Sequence, residues 1–203
     1  TGVNVSTKHQ ELDGAGKLIA GPDYVNDDIV PDDDHGHGSH VAGTIAAEAD
    51  ATGMVGIAPE AKILACKALD ASGSGSTGDI AQCIDYAVSN GARVINMSLG
   101  ANVFALLPEV LGLDFIREMA IRNAAERGVV TVCAAGNDNA SLPARPAGFS
   151  DAIYVGAVSA EDELTTFSNC GPWVSVVAPG RNLYSLSNSS STEYTFKSGT
   201  SMA

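Results

Sequence analysis

KILACKAL, residues Lys62–Leu69, is a short apolar run of the kind that forms a buried strand. The segment after it, Asp79–Ser89 (DIAQCIDYAVS), has apolar residues at helical spacing and ends at Asn90-Gly91. A second strand-like run, Arg93–Ser98 (RVINMS), then follows. The order strand, helix, strand is typical of α/β folds with a parallel sheet.

The same alternation continues through the second half of the sequence. A longer helix is predicted over Leu111–Arg127, and strands are predicted over Val129–Ala134, Ile153–Val158 and Val174–Ala178. We therefore expect an α/β fold with a mostly parallel central sheet and helices on both faces, in a single domain over residues 1–203. Active sites in such folds lie at the carboxyl ends of the strands.

Composition narrows the classes of function. The sequence has 203 residues, 45% apolar and 17% charged, which is the composition of a globular domain with a sizeable core. Its formal net charge of −13 disfavours nucleic acid and anionic membranes as partners. The apolar runs fall far short of the roughly 18 residues that a membrane span needs. We expect a monomer with neither nucleic-acid nor membrane partners.

The four cysteines give little information about function. Cys66 and Cys133 lie inside apolar strand-like runs and are interpreted as small buried side chains. Cys83 and Cys170 complete the set, and the sequence does not decide which of the four pair. Because no C-x-x-C pair occurs, a zinc or redox site is disfavoured.

Three of the four histidines lie in His35–His40 (HGHGSH), before an apolar run of small residues that predicts a helix. A histidine at the start of such a helix can act as a base near neutral pH. For an isolated H-x-H, however, histidines that satisfy core hydrogen bonds are the simpler interpretation. Gly38 and Gly43 predict close packing of this helix against a neighbour.

Two further motifs contain groups that acyl transfer requires. Ser201 lies in Gly199–Ala203 (GTSMA), and a serine attacks a carbonyl carbon only if a base takes its proton and a donor stabilises the oxyanion. Asn137, in Ala134–Asn137 (AAGN) directly after a predicted strand, is a candidate donor. The alternative for Asn137 is an ordinary turn residue.

Together and in this order, the motifs resemble those of the subtilisin-like serine protease family (subtilases). The resemblance extends over essentially the whole chain and includes Val155–Ala157 and Phe167–Asn169. It implies a serine endopeptidase with an Asp-His-Ser triad and an acyl-enzyme intermediate. The residue roles that it implies are His37 as general base, Ser201 as nucleophile, Asn137 with the Ser201 N–H as oxyanion donors, and His40 as a structural residue. His35 has no role in the family and is interpreted as a surface loop residue.

The catalytic aspartate of that triad is expected immediately before Thr1, because the chain opens Thr1-Gly2. We accordingly expect a partial catalytic domain, without the strand that carries the aspartate and the helices after the nucleophile, which is inactive by itself. Asp32, Asp33 and Asp34 precede the histidine motif and are interpreted as a solvated acidic loop, not as a replacement.

The resemblance also implies how an extended peptide binds. The segments expected to pair with its backbone are Gly73, Ser74, Gly75 and Ser98, Leu99, Gly100, and glycine at such edges allows close approach. The pocket for the residue before the scissile bond is expected between Ser98–Gly100 and Ala134, Ala135 and Gly136, with Ala144 at its floor. Its small, uncharged walls favour an apolar or aromatic residue.

A calcium site is the remaining expectation. Residues 48–56 have the position and length of the family's calcium loop, and calcium prefers carboxylate and carbonyl oxygens. The expected ligands are the side chains of Glu11 and Asp50 and the carbonyls of Glu48, Thr52 and Met54. The alternative is an ordinary polar loop.

Two other functions remain open at this point. One is a metal-binding module built on His35, His37 and His40, and the other is a catalytically inactive subtilase that only binds. The resemblance implies protein or peptide substrates and an extracellular location.

Overall fold

The computed structural model alternates strands and helices, and it describes residues 1–100, 108–141 and 150–203, with residues 108–114 as backbone only. Its strands are β1 (Leu18–Asp23), β2 (Ile63–Lys67), β3 (Val94–Met97), β4 (Val130–Ala134), β5 (Ala152–Val158), β6 (Val176–Pro179), β7 (Leu183–Leu186) and β8 (Tyr194–Lys197). Its helices are α1 (His37–Ala46), α2 (Thr77–Ser89) and α3 (Pro108–Glu126), preceded by a 3₁₀ turn, Gln10–Leu12. The chain divides into two compact units, residues 1–86 with 184–196, and residues 87–183 with 197–203.

In the first unit, the parallel pair β1–β2 and helix α1 enclose a small apolar core. Ala42 and Ala46 of α1 lie in this core with Leu18 of β1 and Leu186 of β7. A Cβ atom added at Gly43 would lie 2.3 Å from Cγ of Leu186, which is closer than real contacts allow. The predicted close packing of the histidine helix at Gly43 is therefore confirmed.

A disulfide between Cys66 and Cys83 joins β2 to α2, with the two Cα atoms 5.8 Å apart. The interpretation of Cys66 as a small buried side chain is wrong. Its side chain is only half-buried, because it leaves β2 toward Cys83 of the helix instead of into the apolar core. Cys133, in contrast, is buried, as predicted, and its thiol is free.

The second unit contains a four-stranded sheet whose strands follow chain order, β3-β4-β5-β6, and are all parallel. Helix α3 connects β3 to β4 and buries Ile121 and Ala124 completely. The predicted strands that form this sheet, and the predicted α/β class with a mostly parallel sheet, are confirmed.

The register of this sheet determines what lies at its carboxyl edge. Met97, the last residue of β3, pairs with Cys133 of β4. Since parallel strands end at the same edge of a sheet, Ser98 lies beside Ala134 at that edge. Burial alternates along both strands: Ile95 and Cys133 are buried, whereas Val94 and Val130 are 60% and 44% exposed.

Three of the strands in the described part of the chain were not predicted. β1 contains Gly21 and Pro22, which favour a turn. β7 and β8 lie on either side of a serine-rich loop, and the polar composition of this region favours a loop over strands. Among the helices described, none combines the length and hydropathy that a membrane crossing requires.

Candidate active site

His37 is the first residue of α1 and is half-buried. The preceding residue, Gly36, has φ = 84°, a left-handed conformation that favours glycine. Because glycine has no side chain, this residue cannot cap the helix with a side-chain hydrogen bond. The free N–H groups at the start of α1 are bound by a more distant residue. Asp33 accepts hydrogen bonds from the amides of Gly36 (2.9 Å) and Ser39 (2.8 Å), and also from His35 (3.1 Å).

The interpretation of residues 32–34 as a solvated acidic loop is therefore wrong for Asp33, which is only 4% exposed. Burial disfavours its carboxylate, but the three amide donors outweigh that effect, and the pKa of Asp33 is lowered. A buried carboxylate at the N-terminus of α1 also complements the helix dipole. Asp33 thus fixes the first turn of the helix that begins with His37.

Asp34 is more exposed but is also paired. It binds Nζ of Lys67 at 2.5 Å, and the Lys67 side chain is fully buried. The same Nζ donates to the carbonyl oxygen of Thr1 (3.1 Å), while Thr1 Oγ1 accepts from the amide of Gly38 (2.8 Å). A Cβ atom at Gly38 would lie 1.9 Å from the carbonyl oxygen of Gly2. These contacts hold Thr1 and Gly2 against the first turn of α1.

The other two histidines of the motif differ in burial. His40 is fully buried, and its carbonyl oxygen accepts a hydrogen bond from Ser185 Oγ (2.7 Å). His35 is exposed, and its ring makes an edge contact with the ring of His37, with centroids 6.1 Å apart. Their positions agree with a structural His40 and a surface His35.

Ser201 lies in the second unit, where it contacts the end of β3. The Ser98 hydroxyl donates to the carbonyl oxygen of Ser201 (2.7 Å), and the Ser201 hydroxyl donates to the carbonyl oxygen of Ser98 at 3.4 Å. The serine motif is therefore hydrogen-bonded to Ser98–Gly100, one of the segments expected to bind substrate.

Asn137 is exposed and lies beside the same motif. Its Oδ1 accepts hydrogen bonds from the amide (2.8 Å) and the hydroxyl (3.1 Å) of Thr200. The Thr200 hydroxyl also accepts from the amide of Gly136 (3.0 Å). Because Oδ1 is engaged with Thr200, the Nδ2 group is the part of the Asn137 amide that remains to donate to a ligand.

The sequence did not assign a role to Asn169, which is fully buried behind the Asn137 loop. Its Nδ2 donates to the carbonyl oxygen of Ala135 (3.0 Å), and its Oδ1 accepts from the amides of Asp138 and Ala140, both at 2.9 Å. Asn169 belongs to a segment whose resemblance to the family was noted, but its contacts depend on the fold.

The predicted substrate segments lie in both units. Gly73, Ser74 and Gly75 are all exposed, in a loop after β2 whose turn is closed by Asp70. Gly75 approaches the backbone so closely that an added Cβ would lie 2.0 Å from the Ala68 carbonyl oxygen.

The other two segments lie at the ends of adjacent strands in the second unit: Ser98–Gly100 follows β3, and Ala134–Gly136 begins with the last residue of β4. The expected pocket floor, Ala144, lies outside the described residues. Burial raises the pKa of the Cys133 thiol in β4 to about 12, so this thiol stays protonated near neutral pH and is a poor nucleophile.

The predicted calcium loop passes against Glu11. A Cβ atom at Gly53 would lie 1.9 Å from Glu11 Oε1, and the amide of Glu48 donates to the carbonyl oxygen of Glu11 (3.0 Å). Glu11 is fully buried, and its Oε1 accepts a hydrogen bond from the Tyr194 hydroxyl. Its Oε2 has no hydrogen-bond partner among the described residues, so this buried oxygen has a free position at which a cation would bind.

The remaining predicted ligands fit this site less directly. The Asp50 carboxylate is exposed, and the amide and hydroxyl of Thr52 both donate to its Oδ1 at 2.8 Å. Glu48 Oε1 accepts from the amide of Gly14 (2.9 Å). Within the described part of the chain, no three histidine, cysteine or acidic side chains form a group that could hold a metal ion. A calcium ion here would depend on Glu11 and on backbone carbonyls.

Comparison with known proteins agrees with the motifs and the fold. The model of the subtilase family matches residues 1–203. The chain is 45% identical to the thermophilic serine proteinase of Bacillus sp. (strain AK1), over 100% of this chain and 47% of that protein. It is 41% identical to thermitase of Thermoactinomyces vulgaris, over 98% of this chain and 67% of that protein.

A solved structure is similar over the whole chain. The crystal structure of a cold-adapted subtilisin-like serine proteinase superposes with a TM-score of 0.84 at 34% identity, covering 100% of this chain and 68% of that one. The chain spans about half the length of the Bacillus relative and about two thirds of thermitase.

Proposed function

Because the chain belongs to the subtilase family, we propose that the protein containing it is a serine endopeptidase that cleaves protein or peptide substrates. Ser201 is the nucleophile, His37 the general base, and Asn137 an oxyanion donor. The aspartate of the triad is the residue expected immediately before Thr1. The observation that supports this assignment best is the engagement of Asn137 Oδ1 by Thr200, because it leaves Nδ2 available beside the serine motif.

In the proposed reaction, His37 takes the proton of the Ser201 hydroxyl as its oxygen attacks the carbonyl carbon of the scissile bond. Negative charge develops on the substrate oxygen and is stabilised by Nδ2 of Asn137 and the N–H of Ser201. The protonated His37 then gives its proton to the leaving amine, which yields an acyl-enzyme and the first product. A water molecule, deprotonated by His37, hydrolyses the ester and restores Ser201.

A fluorophosphonate probe tests this proposal, since it labels only an activated serine. We expect labelling at Ser201 in a protein extended at both ends, and loss of labelling in Ser201→Ala and His37→Ala variants. The 203-residue chain alone is expected to label far less, since loss of the triad aspartate costs about 10⁴ in turnover in well-studied triads. Extended protein that fails to label would favour a catalytically inactive binding protein, and undiminished labelling of His37→Ala would refute the assignment of the base.

We further propose a preference for apolar or aromatic residues before the scissile bond. The segments that form the expected pocket, Ser98–Gly100 and Ala134–Gly136, contain no charged side chain. Digestion of a peptide library followed by mass spectrometry would measure the preference. A strong preference for arginine or lysine would contradict the pocket assignment.

Calcium is proposed as a structural cofactor at Glu11 and residues 48–56. The partnerless Oε2 of Glu11 supports this, because burial of an uncompensated carboxylate is costly. Bound calcium would supply the missing positive charge, and Glu48, Asp50, Thr52 and Met54 are the other expected ligands. We expect calcium to raise the melting temperature of the protein, and Glu11→Gln to reduce that increase. Equal melting temperatures in chelator and in millimolar calcium would refute the site.

An extracellular location is proposed as well, for a monomeric enzyme. The Cys66–Cys83 disulfide supports it, because disulfides persist mainly in oxidising compartments. Measuring the protein in the culture medium and in the cell fraction of a producing strain would test it, and retention inside the cell would contradict it.

A further inference from the structure

We propose that Asn169 is a positioning residue for Asn137. In this proposal, which rests on the proposed function, the buried Asn169 side chain holds residues 135–140 in the conformation that presents Asn137 to the substrate oxyanion. Asn169 does not touch the reacting atoms and acts only through the loop.

The Asn169 side chain binds the loop on both sides of Asn137. Before Asn137, the carbonyl oxygen of Ala135 accepts from Nδ2 (3.0 Å). After Asn137, the amides of Asp138 and Ala140 donate to Oδ1, both at 2.9 Å. Because one planar amide binds all three backbone groups, it fixes the separation between the residue before Asn137 and the residues after it, and so the position of Asn137.

Backbone hydrogen bonds align Asn169 with the loop that it holds. The amide of Asn169 donates to the carbonyl oxygen of Gly136 (2.9 Å). On either side of it, the amide of Asn139 donates to Phe167 O (2.9 Å) and the amide of Cys170 to Ala140 O (3.0 Å). The segment 167–170 therefore lies against the loop, and the fully buried Asn169 side chain is the one that bonds to it.

The loop needs such support because it has no regular structure of its own. Gly136 has φ = 103° and Asn139 has φ = 50°, both in the left-handed region. Asn137 itself is exposed, and its contact with Thr200 fixes the orientation of its amide but not the path of the loop. Without the Asn169 side chain, three backbone groups lose their partners, and the loop would relax to recover hydrogen bonds with water.

The effect on turnover should be large relative to the effect on binding. Removing an oxyanion donor costs about 10²–10³ in kcat, and a displacement of about 1 Å can cost about 10²-fold. Oxyanion contacts form fully only in the transition state, so KM should change little. We expect Asn169→Ala to lower kcat by roughly tenfold to a hundredfold, with KM within about twofold of the original enzyme.

The experiment compares these variants in the extended, active enzyme, with active sites counted by fluorophosphonate titration. Asn169→Asp keeps the oxygen that accepts from Asp138 and Ala140, so its kcat should lie between those of the original enzyme and Asn169→Ala. Thr165→Val is the matched control: Thr165 is buried in the same unit, and its hydroxyl donates to the carbonyl oxygen of Ala157 (3.0 Å), which is not part of residues 135–140. We expect Thr165→Val to lower stability and to leave kcat unchanged.

A double variant separates positioning from general destabilisation. If Asn169 acts through Asn137, then Asn169→Ala should reduce kcat much less when Asn137 is already alanine. Independent, multiplicative losses would overturn the proposal, and so would an Asn169→Ala enzyme whose kcat equals that of Thr165→Val. Unchanged turnover in Asn137→Ala and Ser201→Ala would refute the proposed function itself, which is a different outcome from failure of Asn169 alone.

Discussion

Breaking the Cys66–Cys83 disulfide should lower the free energy of unfolding by about 3 kcal/mol at 25 °C. The bond closes a loop with a sequence separation of 17 residues, from β2 to α2. In the chain-entropy model, a cross-link removes about 2.1 + 1.5R ln n cal/mol/K from the unfolded chain, which for this loop is on the order of 10 cal/mol/K. For a chain of this size, that loss corresponds to a decrease in melting temperature of roughly 6–12 °C.

The assay compares thermal unfolding of the same protein before and after reduction. The double variant Cys66→Ala and Cys83→Ala is the control, because its melting temperature should not respond to the reductant. Thiol titration of the unfolded, unreduced protein should detect only Cys133 and Cys170. Detection of all four thiols would refute the pairing. Equal melting temperatures of the reduced and oxidised proteins would refute the entropy argument.

Three further predictions concern the first unit. Asp33→Asn should lower the free energy of unfolding at neutral pH, because the lowered pKa of Asp33 stabilises the fold only while its carboxylate is ionised. The difference from the original protein should shrink as the pH falls below the ordinary aspartate pKa of about 3.9. Urea titrations at pH 6 and pH 3 would measure this, and an equal difference at both pH values would contradict it. Gly43→Ala should lower the free energy of unfolding by about 1–3 kcal/mol, because the added Cβ clashes with Leu186. Gly78→Ala in α2 is the control: its Cβ would lie 3.5 Å from Ser76 Oγ, so the change should be neutral or stabilising in the same urea assay. Equal effects of the two changes would refute the packing argument. Lys67→Met should cost about 1 kcal/mol in the same assay, because it removes the donor to the Thr1 carbonyl oxygen, while the exposed Asp34 carboxylate is hydrated instead. The same change at exposed Lys62 should cost little, and equal costs would contradict the role of Lys67.

Periodicity and motifs predict most of the strands and helices that surround the candidate site. The runs that become β2, β3 and β4 are short and apolar, and helix α2 has a clear apolar face. β7 and β8 are four-residue strands, Leu183–Leu186 and Tyr194–Lys197, which are too short for a period of two to be distinctive. Such strands are specified mainly by pairing with each other.

The errors and omissions at the site have one physical origin: they depend on contacts between distant residues. Nothing in Asp32-Asp33-Asp34 indicates which carboxylate is buried, because the choice depends on how the chain enters α1. Asn169 binds a loop about 30 residues earlier in sequence. The partner of Cys66 is likewise set by how α2 packs on β2.

The register between β3 and β4 has a consequence for redesign of specificity. Met97 and Cys133 are paired, so Leu99 and Ala135 each lie two residues beyond the same pair of a ladder whose strands are about 4.8 Å apart. Widening the space between the two segments by moving either backbone would break that ladder. A combinatorial library that aims at new substrates should therefore vary side chains at these two positions and leave the backbone lengths alone. Insertions or deletions directly after β3 or β4 would instead be selected against as folding defects.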